Sequence, residues 1–380
     1  MTEAANPERL LFATTTQSFL EKEASLARVR ELHDAGISFE PDWWRRAAEL
    51  GWTSLLVPEE LGGGSVSGGV SGGVKDLALV AEIAGKTVAP GPLHPVSIVL
   101  SALADAPEGH ESAIEALIAG EAVASWAVYE PGQAWAPLEP TVTATRTDSG
   151  YRIDGVKDRV EAGADSSLLL VVAACDGAVR QFLVPTDSPG VRIERQHSLD
   201  LVKSYARVQF NGVEVDASAA VGTAEQTADL IARQSQIALM LQCAEIVGVL
   251  DTVLAFTIQW GFDRHSFGRP LGSYQALKHK YADLKIWFEA CRATTNAAVA
   301  EVADRSPAAD RAVSVAKSYV GEYAPGMIQN CIQLHGGIGV TWEHDLHLFL
   351  RRVTLYRSLY GTPEDHNLRV YALTELESAS

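Results

Sequence analysis

No proline and only one glycine, Gly248, interrupt the chain between Thr227 and Trp260. A helix through that run spans roughly 50 Å at about 1.5 Å per residue. A helix that long and that apolar needs neighbours along its length. The sequence supplies them, because Ser273–Arg305, Ala308–Leu334 and Asp345–Tyr360 also read as helices. Long helices of this kind pack as a bundle, here a four-helix one. Their Leu, Ile, Val and aromatic positions read as core, and periodicity alone assigns them no chemistry.

Upstream the periodicity changes twice. Between about residues 123 and 224, Thr141–Thr147, Tyr151–Ile153, Leu168–Ala174, Gln181–Val184 and Ala206–Phe210 read as short strands. Asp148-Ser-Gly150, Cys175-Asp-Gly177, Ser188-Pro-Gly190 and Asn211-Gly212 supply the turns. This spacing predicts a small β-barrel or sandwich. Before it, Phe39–Leu50 and Leu77–Ala84 have helical spacing, with Asp76 as the expected N-cap. The tract Leu61-Gly-Gly-Gly-Ser-Val-Ser-Gly-Gly-Val-Ser-Gly-Gly-Val74 reads as a flexible loop. It is not a phosphate cradle, since no Lys-Ser/Thr follows it and no strong strand feeds it. The expected organisation is therefore α+β and multidomain. It has an N-terminal helical domain (1–122), a middle β-barrel or sandwich domain (123–224) and a C-terminal four-helix bundle (225–380).

Charge narrows the choice of ligands. Against 31 Lys and Arg stand 48 Asp and Glu, a formal charge of −17. Such a surface repels phosphate backbones and anionic lipid, which argues against nucleic acid and membranes as partners. An anionic small ligand would need a local basic pocket. The four cysteines (Cys175, Cys243, Cys291, Cys331) lie far apart, without a C-x-x-C. That argues against disulfides and zinc and predicts a reducing, cytoplasmic setting. His335 and His347 are too isolated to make a metal site, and no metal is expected. Met1-Thr-Glu-Ala-Ala-Asn does not read as a signal peptide. The most apolar stretches, such as Leu168–Ala174, read as too short to span a bilayer.

The motifs in order carry a resemblance. Glu49-Leu-Gly-Trp52, Val57-Pro-Glu-Glu-Leu-Gly-Gly63, Phe182-Leu-Val-Pro185 and Ala206-Arg-Val-Gln-Phe210 are followed by Arg264-His-Ser-Phe-Gly268, Tyr274-Gln275 and Gln333-Leu-His-Gly-Gly-Ile-Gly339. Over nearly its whole length the chain resembles acyl-CoA dehydrogenases. The resemblance implies FAD lying between the β-domain and the bundle, with its ADP arm crossing a dimer interface. It also implies an acyl-CoA substrate and an electron-transfer flavoprotein or similar acceptor. Arg264, with its planar fork of donors, matches the pyrophosphate ligand. Ser266, Phe267, Gln275, Gln333, Gly336, Gly337 and Thr362 match the other cofactor positions, and glycine there allows close backbone approach.

The chain departs from the family where the chemistry should be. The reaction needs a carboxylate to remove an α-proton. Most relatives carry it in a Tyr-Glu-Gly-Thr type motif, and the corresponding run Ser358-Leu-Tyr-Gly-Thr362 puts Tyr360 there. A phenol with pKa about 10 is a poor base at neutral pH. The alternative family position falls on Ala238. Glu245 lies two turns beyond Ala238, roughly 10 Å away, while Glu364 and Asp365 (followed by His366) are displaced candidates expected in a solvated turn. Val128-Tyr-Glu-Pro-Gly-Gln-Ala-Trp135 keeps Glu130-Pro131 but lacks the usual hydroxyl and amide donors to the flavin. In Gly155-Val-Lys-Asp-Arg159, Arg159 replaces an aromatic that packs on the flavin. In the family that the chain resembles, the motifs retained here serve a neighbouring subunit's FAD. The pattern points to the non-catalytic or half-site partner in a hetero-oligomer, resembling subunits of bacterial heteromeric, steroid side-chain type enzymes. The alternatives are a competent homomeric enzyme with a displaced base, and an acyl-binding scaffold without dehydrogenase activity.

Overall fold

The computed structural model describes residues 6–379. Six helices come first: α1 (Pro7–Glu23), α2 (Leu26–Asp34), α3 (Pro41–Glu49), α4 (Gly69–Lys86), α5 (Leu93–Asp105) and α6 (Glu111–Ile118). Strands follow: β1 (Ala124–Ala127), β2 (Thr143–Arg146), β3 (Gly150–Glu161), β4 (Leu168–Cys175), β5 (Ala178–Pro185), β6 (Val191–Gln196), β7 (Tyr205–Asp216) and β8 (Ala220–Val221). Helices then return as α7 (Ala224–Asp263), α8 (Gln275–Ala303), α9 (Ala309–His335), α10 (Leu346–Ser358) and α11 (Pro363–Ala379). Between α7 and α8 lies a two-stranded hairpin, β9 (His265–Ser266) and β10 (Arg269–Pro270). The chain thus has an N-terminal helical domain, a middle sheet domain and a C-terminal helical domain. By internal contacts it divides into two compact units, one from Met1–Arg30, Ala78–Ala89 and Leu239–Ser380, the other from Glu31–Leu77 and Pro90–Ala238.

In the second unit the strands form one mixed sheet in the order β6-β7-β3-β2-β4-β5-β8, with β1 parallel to β4. The sheet carries a hydrophobic core. Ala127, Ile153, Leu169, Val171, Phe182, Val208 and Phe210 lie within it, and Val191, Ile193 and Ala220 pack against it. Asn211-Gly212, expected as a turn, lies inside β7 instead. There the pairing with β3 shifts register, and the Gly212 N–H donates to Asp154 Oδ1 at 2.7 Å. Asn-Gly suits a bulge for the same reason that it suits a turn: one residue must take a positive φ, here +60° at Gly212.

In the first unit α9 packs against α8, α10 and α11. Polar side chains staple this bundle from within. Arg352 of α10 ion-pairs with Glu245 of α7, and both are buried. The Tyr356 hydroxyl donates to Glu245 at 2.9 Å, and Arg352 donates to Val88 O at 3.1 Å. Lys317 of α9 donates to Gln242 of α7 at 2.8 Å and to the carbonyl of Tyr356. Burial pushes the Lys317 amine down to about 8. Where α4 crosses α7, two glycines replace side chains. A Cβ on Gly248 would lie 1.8 Å from the Glu82 carbonyl oxygen, and one on Gly85 would lie 2.0 Å from that of Glu245.

Three local expectations need correction. The Gly/Ser tract is a loop only in its first half, because α4 begins at Gly69. Asp76 therefore lies inside α4, where its carboxylate accepts from the Ser67 N–H at 2.8 Å and from the Ser67 hydroxyl at 2.5 Å. Apolar length was also underestimated, since α7 is long and apolar enough to cross a membrane. With 89% of its most apolar window buried in the protein, α7 is a core helix here.

Candidate functional site

The first unit holds a cleft of about 730 Å³ between the end of α7, the start of α8 and the end of α9. Five expected cofactor residues line it: Arg264, Ser266, Gln333, Gly336 and Gly337. Local backbone chemistry builds its two lips. The β9–β10 hairpin closes through Phe267 and Gly268 at φ +51° and +77°, the pattern of a type I′ turn. The Tyr274 hydroxyl ties the hairpin down by donating to Ser266 O at 2.7 Å, and Arg269 lies 3.8 Å above the Tyr274 ring. On the other lip α9 ends at Gly336, with φ +67° and ψ −142°, a conformation only glycine adopts readily. A Cβ on Gly336 or Gly337 would meet nothing within 4 Å, so both positions border open space.

The cleft also recruits residues that the motifs did not single out. Trp260 stacks on His335 with ring centroids 5.3 Å apart and 21° between planes. His335 Nδ1–H donates to Cys331 O at 2.9 Å, and burial lowers the His335 pKa. Lys280 lines the cleft with Arg264 and His265, and among the described residues no carboxylate does. This is the local basic pocket that an anionic ligand requires on a chain of charge −17. Lys280 was missed because a lysine on a long helix reads as solvated. Its only signal is the helical spacing from Leu277, which also lines the cleft. Phe267, Gln275 and Thr362 are not among the lining residues. Phe267 stands 96% exposed at the hairpin tip, and Gln275 is exposed at the start of α8.

Thr362 opens a helix. Its N–H and hydroxyl donate to Asp365 Oδ2 at 2.9 and 3.0 Å, while the Asp365 N–H donates to Thr362 Oγ1 at 3.2 Å. This is a capping box, with Pro363 as the first residue of α11. The solvated turn expected at Pro363-Glu-Asp is thus a helix start, and Asp365 closes the capping box with Thr362. Glu364 is exposed and accepts from Arg357 at 2.8 Å. Tyr360 is buried at φ +58°, and its carbonyl accepts from His366 Nε2–H at 2.8 Å. Ala238 is buried on α7, and Glu245 is engaged with Arg352 and Tyr356.

Burial holds the His366 pKa down to about 4 from its ordinary 6.5. Below about pH 6.5 the unfolded chain therefore binds a proton that the folded chain refuses. Stability falls as pH drops towards 4. Between pH 7 and 5 the wild-type chain should lose about 2 kcal/mol more than His366→Asn, read as urea midpoints at both pH values. Equal losses in the two proteins would exclude His366 as the source.

In the sheet-bearing unit, the segment after β1 is locked to β3. Glu130 accepts from the Thr141 and Val142 N–H groups at 2.8 and 3.0 Å and from Lys157 Nζ at 2.7 Å. Burial opposes the Glu130 charge, but Lys157 and the hydrogen bonds outweigh it and keep the carboxyl below its ordinary value. Burial pushes the Lys157 amine down to about 8. Arg159, at φ +49°, folds back over this segment. Its guanidinium lies 4.2 Å from the Tyr129 ring centroid and donates to Glu130 O at 3.2 Å and Gln133 O at 3.1 Å. Trp135 packs on Tyr129 and Trp126 at 5.1 and 5.8 Å. The chain's own side chains thus occupy the Val128–Trp135 segment.

Known proteins resemble the chain over most of its length. The family model for the acyl-CoA dehydrogenase N-terminal domain matches residues 6–106, and that for the acyl-CoA dehydrogenase C-terminal domain matches residues 222–372. The acyl-CoA dehydrogenase IpdE2 of Mycolicibacterium smegmatis is 28% identical over 367 residues, covering 96% of this chain and 98% of that protein. Among solved structures, the ChsE4-ChsE5 complex from Mycobacterium tuberculosis superposes with a TM-score of 0.87 at 26% identity, covering 98% of both chains. A Tcur3481-Tcur3483 steroid ACAD variant also gives 0.87 at 26% identity, covering 98% of this chain and 99% of that one.

Proposed function

This chain belongs to the acyl-CoA dehydrogenase family, and from that premise we propose that it completes the FAD site of a second, catalytic acyl-CoA dehydrogenase subunit. One observation carries the reading. The basic cleft of Arg264, Gln333, Gly336 and Gly337 is assembled, while the two family base positions hold Tyr360 and Ala238.

The cleft fits an ADP arm. Arg264 has no ion-pair partner among the described residues, which leaves its fork free for a pyrophosphate. Gly336 and Gly337 leave room for backbone approach. When bound, FAD supplies the acceptor for a hydride from the β-carbon of an acyl thioester. In this reading the neighbouring subunit contributes the carboxylate that takes the α-proton. This chain anchors the nucleotide. Its own base candidates are engaged elsewhere: Asp365 in a cap, Glu364 with Arg357, and Glu245 with Arg352. Arg159 and Trp135 cover the segment where relatives meet the flavin ring.

The steroid type of acyl-CoA substrate is taken from the steroid ACAD as a relative, and the assembly of two different chains from the ChsE4-ChsE5 complex. An electron-transfer flavoprotein or similar carrier is the proposed acceptor. Four buried cysteines without disulfides suit a cytoplasmic location.

Co-expression with an acyl-CoA dehydrogenase encoded in the same operon tests the assembly. The expected product is a hetero-oligomer with one FAD per two chains and turnover only in the complex. A yellow, active homo-oligomer of this chain overturns the proposal.

A further inference from the structure

We propose that Lys280 is the second cation of the nucleotide cleft, binding the pyrophosphate alongside Arg264. This rests on the reading of the cleft as a site for a nucleotide arm. The argument is one of charge. A dinucleotide pyrophosphate carries two negative charges, and the chain around it carries −17. One guanidinium leaves half of that ligand charge uncompensated in a repulsive field. Of the residues lining the cleft, Arg264 and Lys280 are the lysine and arginine, and no carboxylate among the described residues competes for them. Lys280 is exposed and has no ion-pair partner among those residues, so nothing must be broken to free it. Leu277 and Lys280 share the cleft-lining face of α8, whereas Lys278 and His279 do not line the cleft. The flexible lysine stem lets a point charge follow the phosphates, complementing the fixed fork of Arg264.

The test is calorimetric titration of the full-length chain with ADP at low and at physiological salt. Lys280→Gln should weaken ADP binding about tenfold, the effect of one charged hydrogen bond, and flatten the salt dependence. Lys278→Gln removes the same charge from the same helix and should stay within about twofold, the scale of a screened surface charge. If Arg264→Ala weakens binding while Lys280→Gln matches Lys278→Gln, the role of Lys280 is overturned and the cleft reading survives. If the wild-type chain binds no ADP at millimolar concentration, or Arg264→Ala binds as well as wild type, both fall together.

Discussion

Replacing Glu245 by glutamine lowers the unfolding free energy by about 3–5 kcal/mol, the cost of stripping a buried ion of its partner. Arg352 is fully buried, and it also donates to the Val88 and Ala89 carbonyls, which solvate a cation but do not neutralise it. Tyr356 also loses a charged acceptor. The double variant Glu245→Leu, Arg352→Met should recover most of the loss, because a buried ion pair replaced by apolar groups of similar volume is often neutral. Urea midpoints for the three proteins decide the matter. The experiment also separates structure from chemistry. A catalytic Glu245 would lose turnover with its fold intact, and a loss below about 1 kcal/mol would favour that role.

Gly248→Val should cost about 3 kcal/mol or more, the upper range for overpacking. Two effects compete at this position. A side chain in place of glycine favours a helix by up to about 1 kcal/mol. Against that, the new Cβ lies 1.8 Å from the Glu82 carbonyl oxygen, which is backbone and cannot rotate away. The clash wins because α4 and α7 must separate, which also opens the reciprocal contact at Gly85. Gly326→Ala is the control. It lies within α9, and its added Cβ would meet nothing within 4 Å. That variant should be neutral or up to about 1 kcal/mol more stable. Thermal melts of both variants measure the contrast, and equal melting temperatures would rule out the crossing as the cause.

The fold was legible wherever one physical constraint acted alone. The absence of proline announced α7, and Cys175-Asp-Gly177 announced the β4–β5 hairpin. Helix α5 was illegible because Leu93 to Leu103 are buried throughout, so no polar face marks a period. The same limit shaped the reading of the site. Arg264 and Gln333 stood out through motif order, and the cleft brings them together. Lys280 did not, because helix spacing shows which residues share a face but not what that face meets. Arg159 was visible as a departure from the family pattern. Its grip on the carbonyls of Glu130 and Gln133 was not, because contacts between residues distant in sequence leave no local trace.

Phe267 is costly to keep where it is. A non-glycine residue at φ +51° costs about 1–2 kcal/mol, and its ring stands almost wholly in water. The second subunit proposed above would offset both penalties by covering this tip. A copy left unassembled therefore wears an adhesive tip that chaperones and proteases meet first. In the hetero-oligomer proposed above, its abundance in the cell would then follow how much of the second subunit is made, rather than its own rate of synthesis.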